Sequence, residues 1–305
     1  MSRILVTGAS GLLGANLALA ACGEHDVVAI YHHHALTSSR FRAQSADLSL
    51  ESKTSELLSS TRPDWIVHCA AVTNVDECQA HPAMAWRYNA EMPRFLAEAA
   101  RRVGSRMVYI STDSVFDGQG SNYAEEDKPS PVNVYARSKL AGEHAVRKAL
   151  ESAMIVRTNL YGWNVQEKLS LAEWIVKKLE GGESIDGFQD VHFTPILAND
   201  LASIILLMMG MELGGLYHVA GSQRFSKYEF ACDLARVFGL DPKLVRPASI
   251  TESTLIAPRP LDTSLCVSKA SRSLGIGMPN IISGLQGFKA LHEAGYPAKL
   301  KSLNM

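Results

Sequence analysis

Short apolar runs and stretches with helical spacing alternate along the first half of the chain. The runs at residues 3–7, 25–31, 64–71, 107–110 and 153–158 have the length and β-branched content of buried strands. Between them, apolar residues recur every three or four positions, most clearly at residues 15–21, 52–60, 82–88 and 93–103. This alternation predicts an α/β fold with a doubly wound parallel sheet.

A glycine-rich turn joins the first predicted strand to the first helix, with the spacing G-x-x-G-x-x-G. Glycine permits a tight turn and close approach of the backbone to a pyrophosphate, which the N-terminus of the next helix also attracts. We therefore predict a dinucleotide-binding Rossmann sheet; the alternative is a strand-to-helix connection that only needs glycine. The predicted cofactor-binding turn comprises Gly8, Ser10, Gly11, Leu12, Leu13 and Gly14.

The end of the second predicted strand, at Tyr31 and His32, would face the adenosine ribose of a dinucleotide. An acid there favours NAD, and no carboxylate directly follows Tyr31, so the sequence favours NADP (NADPH) with NAD as the other option. The neighbours His32-His33-His34 cannot easily converge on one ion; we interpret them as a solvated loop and predict no metal site. Asp47, followed by Leu48, is predicted to reach the adenine amino group, with a turn or cap aspartate as the alternative.

Small or polar residues follow two further strands. Ala70 and Ala71 would let a flat cofactor lie against the backbone, and Thr73 begins the loop beyond them. Thr112 ends the strand that contains residues 107–110. Ligands of such sheets bind at the carboxyl ends of the strands, so these residues and Gly8 are predicted to converge on one site.

Tyr135 and Lys139 stand four residues apart, which places a phenol and an ammonium on one face of a predicted helix. A nearby cation favours the phenolate and lowers the pKa of the phenol. Together with the Thr112 hydroxyl, the pair suggests hydride transfer to or from a carbon that bears oxygen. The pattern also occurs by chance on solvated helices, so this interpretation depends on the strand–turn–helix pattern above.

The composition fits a globular protein with one large α/β unit or two unequal domains: 305 residues, 47% hydrophobic and 20% charged. A net charge of −1 argues against an electrostatic nucleic-acid or membrane partner. Five cysteines without a C-x-x-C pair, and no signal-like segment before the first strand, favour a cytoplasmic protein with reduced thiols.

The second half of the chain is less regular. We predict a dinucleotide-binding domain at residues 1–160, with returning segments near 190–221. A smaller α/β C-terminal substrate lobe would comprise residues 161–189 and 222–305. Within this lobe, Ser226 and Glu229 have the spacing of a capping box that opens a helix.

Three motifs make the chain resemble the extended short-chain dehydrogenase/reductases. They are the glycine turn at 7–14, Ser-Thr-Asp-x-Val-Phe-x-Gly at 111–118, and the Tyr-x-x-x-Lys segment at 135–143. Within that family the chain is most similar to the dTDP-4-dehydrorhamnose reductases. The segments at 131–135, 215–221 and 258–264 look like further landmarks of that group.

The resemblance implies a reductase that uses NAD(P)H to reduce a keto group on a nucleotide-activated deoxysugar. Tyr135 would protonate the carbonyl oxygen, Lys139 would bind the nicotinamide ribose and lower the pKa of Tyr135, and Thr112 would orient the carbonyl. Substrate contacts are expected from Thr112, Asp113, Val115, Asn159 and Arg259. Arg259 would face the sugar diphosphate, or else be a surface arginine. The implied partner is the nucleotide sugar, and a homodimer is compatible with the family.

Two departures from the family pattern leave the sugar open. Ser114 stands where the family usually has tyrosine, and Asn159-Leu160 stands where it usually has Ser-Trp. Two other functions also stay open. One is a nucleotide-sugar epimerase or dehydratase of the same family, which is less favoured because no second carboxylate follows Asp113. The other is a non-catalytic, dinucleotide-binding regulatory subunit resembling that of methionine adenosyltransferase.

Overall fold

A seven-stranded parallel sheet forms the centre of the computed structural model, which describes residues 1–304. The strands are β1 (Arg3–Thr7), β2 (Asp26–Tyr31), β3 (Arg42–Ser45), β4 (Trp65–His68), β5 (Arg106–Thr112), β6 (Met154–Thr158), β7 (Leu160–Tyr161), β8 (Ile185–Phe188), β9 (His192–Phe193), β10 (Ile196–Leu197), β11 (Gly215–His218), β12 (Phe225–Ser226) and β13 (Val245–Ala248). The sheet order is β11-β6-β5-β4-β1-β2-β3. All its neighbouring strands are parallel, which confirms the predicted sheet.

Helices cover both faces of this sheet. The α-helices of the described residues are α1 (Leu12–Ala21), α2 (Glu51–Thr61), α3 (Val75–Ala80), α4 (Pro82–Trp86), α5 (Met92–Val103), α6 (Val134–Ala149), α7 (Leu171–Glu180), α8 (Ala198–Gly210), α9 (Lys227–Phe238), α10 (Ser268–Leu274), α11 (Ile281–Glu293) and α12 (Tyr296–Lys301). One apolar core lies between the sheet and α1 and α8, and a second lies between the sheet and α2, α5 and α6. The doubly wound fold class is therefore confirmed.

Two local features differ from the sequence analysis. Strand β3 was not predicted, because it is a largely exposed edge strand of sequence Arg-Ala-Gln-Ser without an apolar run. The two helices predicted at 82–88 and 93–103 form one continuous helix, in which a π-helical turn, Arg87–Glu91, joins α4 to α5. Pro93 follows this turn, and a proline lacks the N–H that a regular helix would use there.

The second half of the chain packs both on itself and on the sheet. Helix α9 opens with the predicted capping box, in which Ser226 Oγ accepts from the Glu229 amide and the Glu229 carboxylate accepts from the Ser226 amide. It packs against α7, α11, β8 and β13. Tyr296 Oη of α12 donates to Asn16 Oδ1 of α1 at 2.8 Å, so the end of the described chain lies beside the first helix. The division into two domains stays a prediction. Across residues 1–304, no helix combines the length and apolar character needed to cross a membrane.

Candidate active site

One cavity of about 1420 Å³ runs along the carboxyl edge of the central sheet. The predicted site residues that line it are Gly8, Ser10, Gly11, Leu12, Leu13, Gly14, Tyr31, His32, Asp47, Leu48, Ala70, Ala71, Thr73, Thr112, Asp113, Tyr135, Lys139 and Asn159. Two predicted substrate residues, Val115 and Arg259, are not in its wall. Most residues chosen from sequence therefore share one cavity, and their individual roles stay predictions.

The glycine end of this cavity is formed by Gly8, Gly11 and Gly14, and neither Gly8 nor Gly14 has space for a Cβ. Gly8 has a φ of +64°, and a Cβ there would lie 2.6 Å from the amide nitrogen of Ala70. A Cβ on Gly14 would collide with the carbonyl oxygen of Gly8. Gly11 begins α1 without a side-chain cap and the first turn is uncharged, so the positive end of the helix is left for an anion. These residues fit the pyrophosphate of a dinucleotide.

A loop that the sequence analysis did not assign covers the glycine end. Its cavity-lining residues are Asn164, Gln166, Glu167, Lys168, Leu169 and Ser170. Gln166 Nε2 donates to the carbonyl oxygen of Ser10 at 2.7 Å, and Ser170 caps α7. The spacing of Ser170 and Glu173 is a capping-box signal for the helix α7. No local motif marks the loop before it as part of the site, because the loop reaches the glycine end only through the tertiary fold.

Histidines line the part of the cavity at the end of β2, which is the part expected to face adenosine. His32, His33 and His34 all line the cavity, so their interpretation as a purely solvated loop is incomplete. The His32 and His33 ring centroids are 3.7 Å apart, and His32 Nε2 lies 4.0 Å from Asp47 Oδ2. Asp47 Oδ1 accepts from both the amide and the hydroxyl of Ser49. Asp47 is thus a turn aspartate and part of the cavity wall at once.

Thr112, Tyr135 and Lys139 meet where β5 and α6 reach the cavity. Lys139 Nζ is buried, donates to the carbonyl oxygen of Ile110 at 2.7 Å and lies 4.2 Å from the Tyr109 ring centroid. Burial lowers the pKa of Lys139 to about 7, although Glu143 acts in the opposite direction. Burial also raises the pKa of Tyr135 to about 12, against a hydrogen bond with Thr112 that lowers it. The Tyr135 pKa is therefore raised and not lowered as expected from its spacing to Lys139, and the phenol keeps its proton at neutral pH.

The aspartate end of the cavity is organised by the buried Asp113. Asn159 Nδ2 and Thr263 Oγ1 donate to Asp113 Oδ2 at 2.7 and 2.5 Å. Thr112 Oγ1 and Ser114 Oγ donate to Asp113 Oδ1 at 3.1 and 3.2 Å. Burial raises the pKa of Asp113, while these donors lower it. Both carboxylate oxygens are engaged, so the group holds its neighbours in place.

Sequence reasoning missed two members of the aspartate end. Thr263 comes from the 258–264 landmark and reaches Asp113 across 150 residues of sequence. Lys227 begins α9, and its Nζ lies 3.2 Å from the centroid of the Phe193 ring. Burial lowers the pKa of Lys227 to about 8, whereas the charge of Asp113 raises it. Only the tertiary fold brings these residues to Asp113, so the local sequence held no signal for their proximity to it.

A buried ion pair fixes α6 against β6 below the site. Arg157 Nε and Nη2 donate to the two carboxylate oxygens of Glu143 at 2.9 and 2.7 Å. Ser111 Oγ also donates to Glu143 Oε1 at 2.5 Å. Both charged side chains are less than 5% exposed. Because Glu143 lies on the same helix as Tyr135 and Lys139, the two hydrogen bonds between Arg157 and Glu143 fix α6 relative to the sheet.

The π-helical turn supplies another positioning group that sequence reasoning missed. Buried Asn89 accepts from Val72 N at 2.9 Å and donates to Val72 O at 3.0 Å. Its amide also donates to Ser138 Oγ at 3.1 Å. Asn89 thereby ties the cavity-lining segment after β4 to α6, and the widened turn directs its side chain between them.

Val115 and Arg259 lie elsewhere for clear physical reasons. Val115 is fully buried in an apolar cluster with Phe116, Ala220 and Leu265, so its side chain contacts core residues. Arg259 Nη2 lies 3.1 Å from Asp76 Oδ1, and Nη1 donates to the carbonyl oxygen of Ala257 at 2.9 Å. The guanidinium predicted to face a diphosphate is thus already paired with a carboxylate of α3.

The sequences most similar to this chain include reductases and a regulatory subunit. It is 31% identical to a protein of Haloferax volcanii named probable low-salt glycan biosynthesis reductase Agl14, with 93% of this chain and 96% of the relative covered. It is 34% identical to dTDP-4-dehydrorhamnose reductase of Mycobacterium tuberculosis, with 84% and 82% covered. It is 32% identical to methionine adenosyltransferase 2 subunit beta of Rattus norvegicus, with 90% and 83% covered.

Solved structures agree with these sequence matches. A dTDP-4-dehydrorhamnose reductase from Clostridium acetobutylicum superposes with a TM-score of 0.84 and 27% identity, over 95% of this chain and 99% of that one. The reductase of Bacillus anthracis, solved in complex with NADP, gives a TM-score of 0.81 and 29% identity over 95% and 99%. The family model described as the RmlD substrate binding domain matches residues 1–291. The chain therefore belongs to the RmlD substrate binding domain family of extended short-chain dehydrogenase/reductases.

Proposed function

We propose that the chain is an NADPH-dependent oxidoreductase that reduces a keto group on a nucleotide-activated deoxysugar. One observation carries this proposal: Thr112, Tyr135 and Lys139 meet in the same cavity as the glycine end. The relative named dTDP-4-dehydrorhamnose reductase supports dTDP-4-dehydrorhamnose as the first substrate to test.

The chain's own residues would hold the dinucleotide at several points. The backbone at Gly8, Gly11 and Gly14 and the N-terminus of α1 would bind the pyrophosphate. Lys139 would donate to the hydroxyls of the nicotinamide ribose, and the small side chains of Ala70 and Ala71 would leave room for the ring. When bound, NADPH supplies the hydride. This support from the site agrees with the NADP complex of the Bacillus anthracis relative.

Tyr135 and Thr112 would handle the substrate oxygen. With a pKa of about 12, the Tyr135 phenol carries its proton at neutral pH and can give it to the oxygen of the reduced carbon. The Thr112 hydroxyl now donates to Asp113 Oδ1 and accepts from the Ser114 amide. It would turn its proton from Asp113 to the keto oxygen when substrate binds. Asp113 keeps three other donors in that arrangement.

The test is NADPH oxidation with dTDP-4-dehydrorhamnose, followed by absorbance, in the unaltered protein and in Tyr135→Phe. Loss of the proton donor is expected to lower kcat by roughly a hundredfold or more. Tyr217→Phe is the matched control, since Tyr217 is a buried tyrosine of β11 outside the cavity wall. Turnover that is unaffected by Tyr135→Phe would contradict the assigned role of Tyr135.

A second candidate function is regulatory, and the relative named methionine adenosyltransferase 2 subunit beta favours it. That function needs dinucleotide binding but no proton donor. Tight NADPH binding without turnover of any keto-sugar, together with co-purification of a partner protein, would select it. The intact Thr112, Tyr135 and Lys139 arrangement supports the reductase first. We also propose the cytoplasm as its location, since all five cysteines are free.

A further inference from the structure

The buried carboxyl group of Asp113 is surrounded by hydrogen-bond donors. Within residues 1–304, Thr112, Ser114, Asn159 and Thr263 each donate one hydrogen bond to it. An ionised carboxylate only accepts hydrogen bonds, whereas a protonated carboxyl group must itself donate one. The arrangement therefore fits the ionised form, and a buried carboxylate needs a compensating positive charge.

Lys227 is the cation that can compensate this carboxylate. Three arginines already form ion pairs with other carboxylates: Arg157 with Glu143, Arg224 with Asp262, and Arg259 with Asp76. The carboxylate that acts on Lys139 is Glu143. Across the part of the chain that the structure describes, Lys227 forms no direct ion pair, and the charge that acts on its ammonium is that of Asp113.

Strand β9 connects Lys227 to the donors around Asp113. The Lys227 amide donates to the carbonyl oxygen just before β9, and the Thr263 amide donates to the carbonyl oxygen of His192 in β9. The Lys227 ammonium lies 3.2 Å from the centroid of the Phe193 ring, and Thr263 Oγ1 donates to Asp113. A lysine at the first position of α9 is opposed by the helix dipole, so the helix itself does not explain it.

We propose that Lys227 is a positioning residue for the keto-sugar, because its charge keeps Asp113 in the ionised form that orients the donors around it. This inference rests on the proposed function and concerns the aspartate end of the same cavity. Protonation of Asp113 would turn one acceptor position into a donor that faces another donor. Thr112 and Asn159, which line the cavity, would then lose their orientation towards the sugar.

The sign of the expected pH effect follows from the two charges. Burial raises the pKa of Asp113, whereas the charge of Lys227 lowers it. Lys227 has a pKa of about 8, so it is charged at the acidic pH values where Asp113 gains a proton. Removing this charge should raise the Asp113 pKa, so that activity is lost at a higher pH as the pH falls.

Other titratable or charged groups at this end are the same in all the variants compared. They are Tyr135 and Lys139 on α6, His192 on β9, Glu229 on α9, and the ion pair of Arg224 with Asp262. The difference between a Lys227 variant and the unaltered protein therefore reports the charge of Lys227.

The first experiment measures kcat and KM for dTDP-4-dehydrorhamnose with saturating NADPH between pH 5.5 and pH 9. Since an opposite charge shifts a carboxylate pKa by about one unit or more, kcat/KM of Lys227→Met should be roughly tenfold lower at the acid end. It should lie within about twofold of the unaltered value at pH 8.5, where Asp113 is ionised in both. Lys227→Arg keeps the charge and should restore the profile. Lys243→Met, at an exposed lysine outside the cavity wall, is the matched control.

A second experiment follows the ¹³C resonance of the Asp113 carboxyl group, assigned by its loss in Asp113→Asn. Its titration midpoint is expected to rise by about one pH unit in Lys227→Met. An unchanged midpoint, or a loss of kcat/KM by the same factor at every pH, would overturn the inference and leave the reductase proposal intact. Absence of turnover in the unaltered protein would overturn the reductase proposal, and the carboxyl titration would still decide whether Lys227 keeps Asp113 ionised.

Discussion

The glycine end and the aspartate end of the cavity are built by different means. The glycine end is backbone: a Cβ on Gly8 would collide with the backbone of Ala70, and a Cβ on Gly14 would collide with the backbone of Gly8. The aspartate end is side chains: Asn159, Thr263 and Lys227 come from separate parts of the chain to surround Asp113. Backbone contacts accept few substitutions, whereas exchanging one donor alters what a side-chain site selects. We therefore expect the glycine end to serve any nucleotide cofactor chemistry of the fold and the aspartate end to determine the sugar.

Asp113→Asn is expected to show the largest difference between the two ends, because it should impair use of the keto-sugar without impairing NADPH binding. The asparagine NH₂ group would face donors such as Asn159 Nδ2 and Thr263 Oγ1, which now donate to the Asp113 carboxylate. Each hydrogen bond to a charged group that is lost costs about 1.5–3 kcal/mol. We expect kcat/KM for the keto-sugar to fall by about a hundredfold, with the NADPH dissociation constant within about twofold of the original. Steady-state kinetics and fluorescence titration measure the two quantities.

Asp117→Asn is the control for this variant, because Asp117 accepts from Gln119 and Tyr123 in a turn outside the cavity wall. It is expected to leave both quantities nearly unchanged. An equal loss of NADPH affinity in Asp113→Asn would show that the two ends are not independent.

The converse effect is expected from Gly14→Ala. The added methyl group meets the Gly8 carbonyl, which is backbone and cannot move aside without opening the turn. Overpacking of this kind costs about 1–3 kcal/mol, so NADPH binding should weaken by about 10- to 100-fold. Gly23→Ala, where a Cβ would have no heavy atom within 4 Å, is the control. If Gly14→Ala binds NADPH as tightly as Gly23→Ala, the glycine end is not the dinucleotide site.

Two lysines with lowered pKa values, Lys139 on α6 and Lys227 at the aspartate end, predict how the stability of the protein depends on pH. The pKa of Lys139 is lowered from 10.5 to about 7 and that of Lys227 to about 8. The folded protein then binds fewer protons than the unfolded chain above these values, so the free energy of unfolding rises with pH from about 7 towards 10.5. One such proton contributes up to about 1.4 kcal/mol per pH unit.

Urea unfolding at pH 7, 8 and 9 tests this, with each variant compared with the unaltered protein. Lys139→Met is expected to remove part of the increase between pH 7 and pH 8. Lys227→Met is expected to act mainly above pH 8. Identical pH profiles for the two variants would contradict the difference in their surroundings.

The smallest effect is expected at Arg259. Because its guanidinium is paired with Asp76 and is about one-fifth exposed, Arg259→Ala and Asp76→Ala should each cost about 0.5–1 kcal/mol of stability. The KM of the nucleotide sugar should change by less than about threefold in both. An increase in KM confined to Arg259→Ala would instead restore the predicted contact with the sugar diphosphate.

The contrast between the ends also explains what could be predicted from sequence. The turn at 8–14 and the pair Tyr135 and Lys139 depend on short spacings, so a few consecutive residues are enough to predict them. The parallel sheet followed from the alternation of elements, except for the polar edge strand β3.

The remaining features depend on long-range packing. Lys227 is part of a helix start whose local pattern indicates only a cap, and Thr263 acquires its role by reaching Asp113. Val115 lies one residue beyond a cavity-lining position, yet the short helical turn at Asp113–Val115 directs it into an apolar cluster. The direction of the Tyr135 pKa shift required the extent of burial, which spacing along a helix does not give.

The buried ion pair between Arg157 and Glu143 affects which elements of the molecule open together. Tyr135 and Lys139 lie on α6, and Asn159 directly follows β6, so residues on both sides of the cavity belong to two elements joined by one buried ion pair. Separating such a pair costs about 3–5 kcal/mol, so α6 and β6 are expected to exchange their amide hydrogens as a single, slowly opening unit. Ligands would then enter and leave through motion of the loop at 164–170, while Tyr135, Lys139 and Asn159 keep their relative positions.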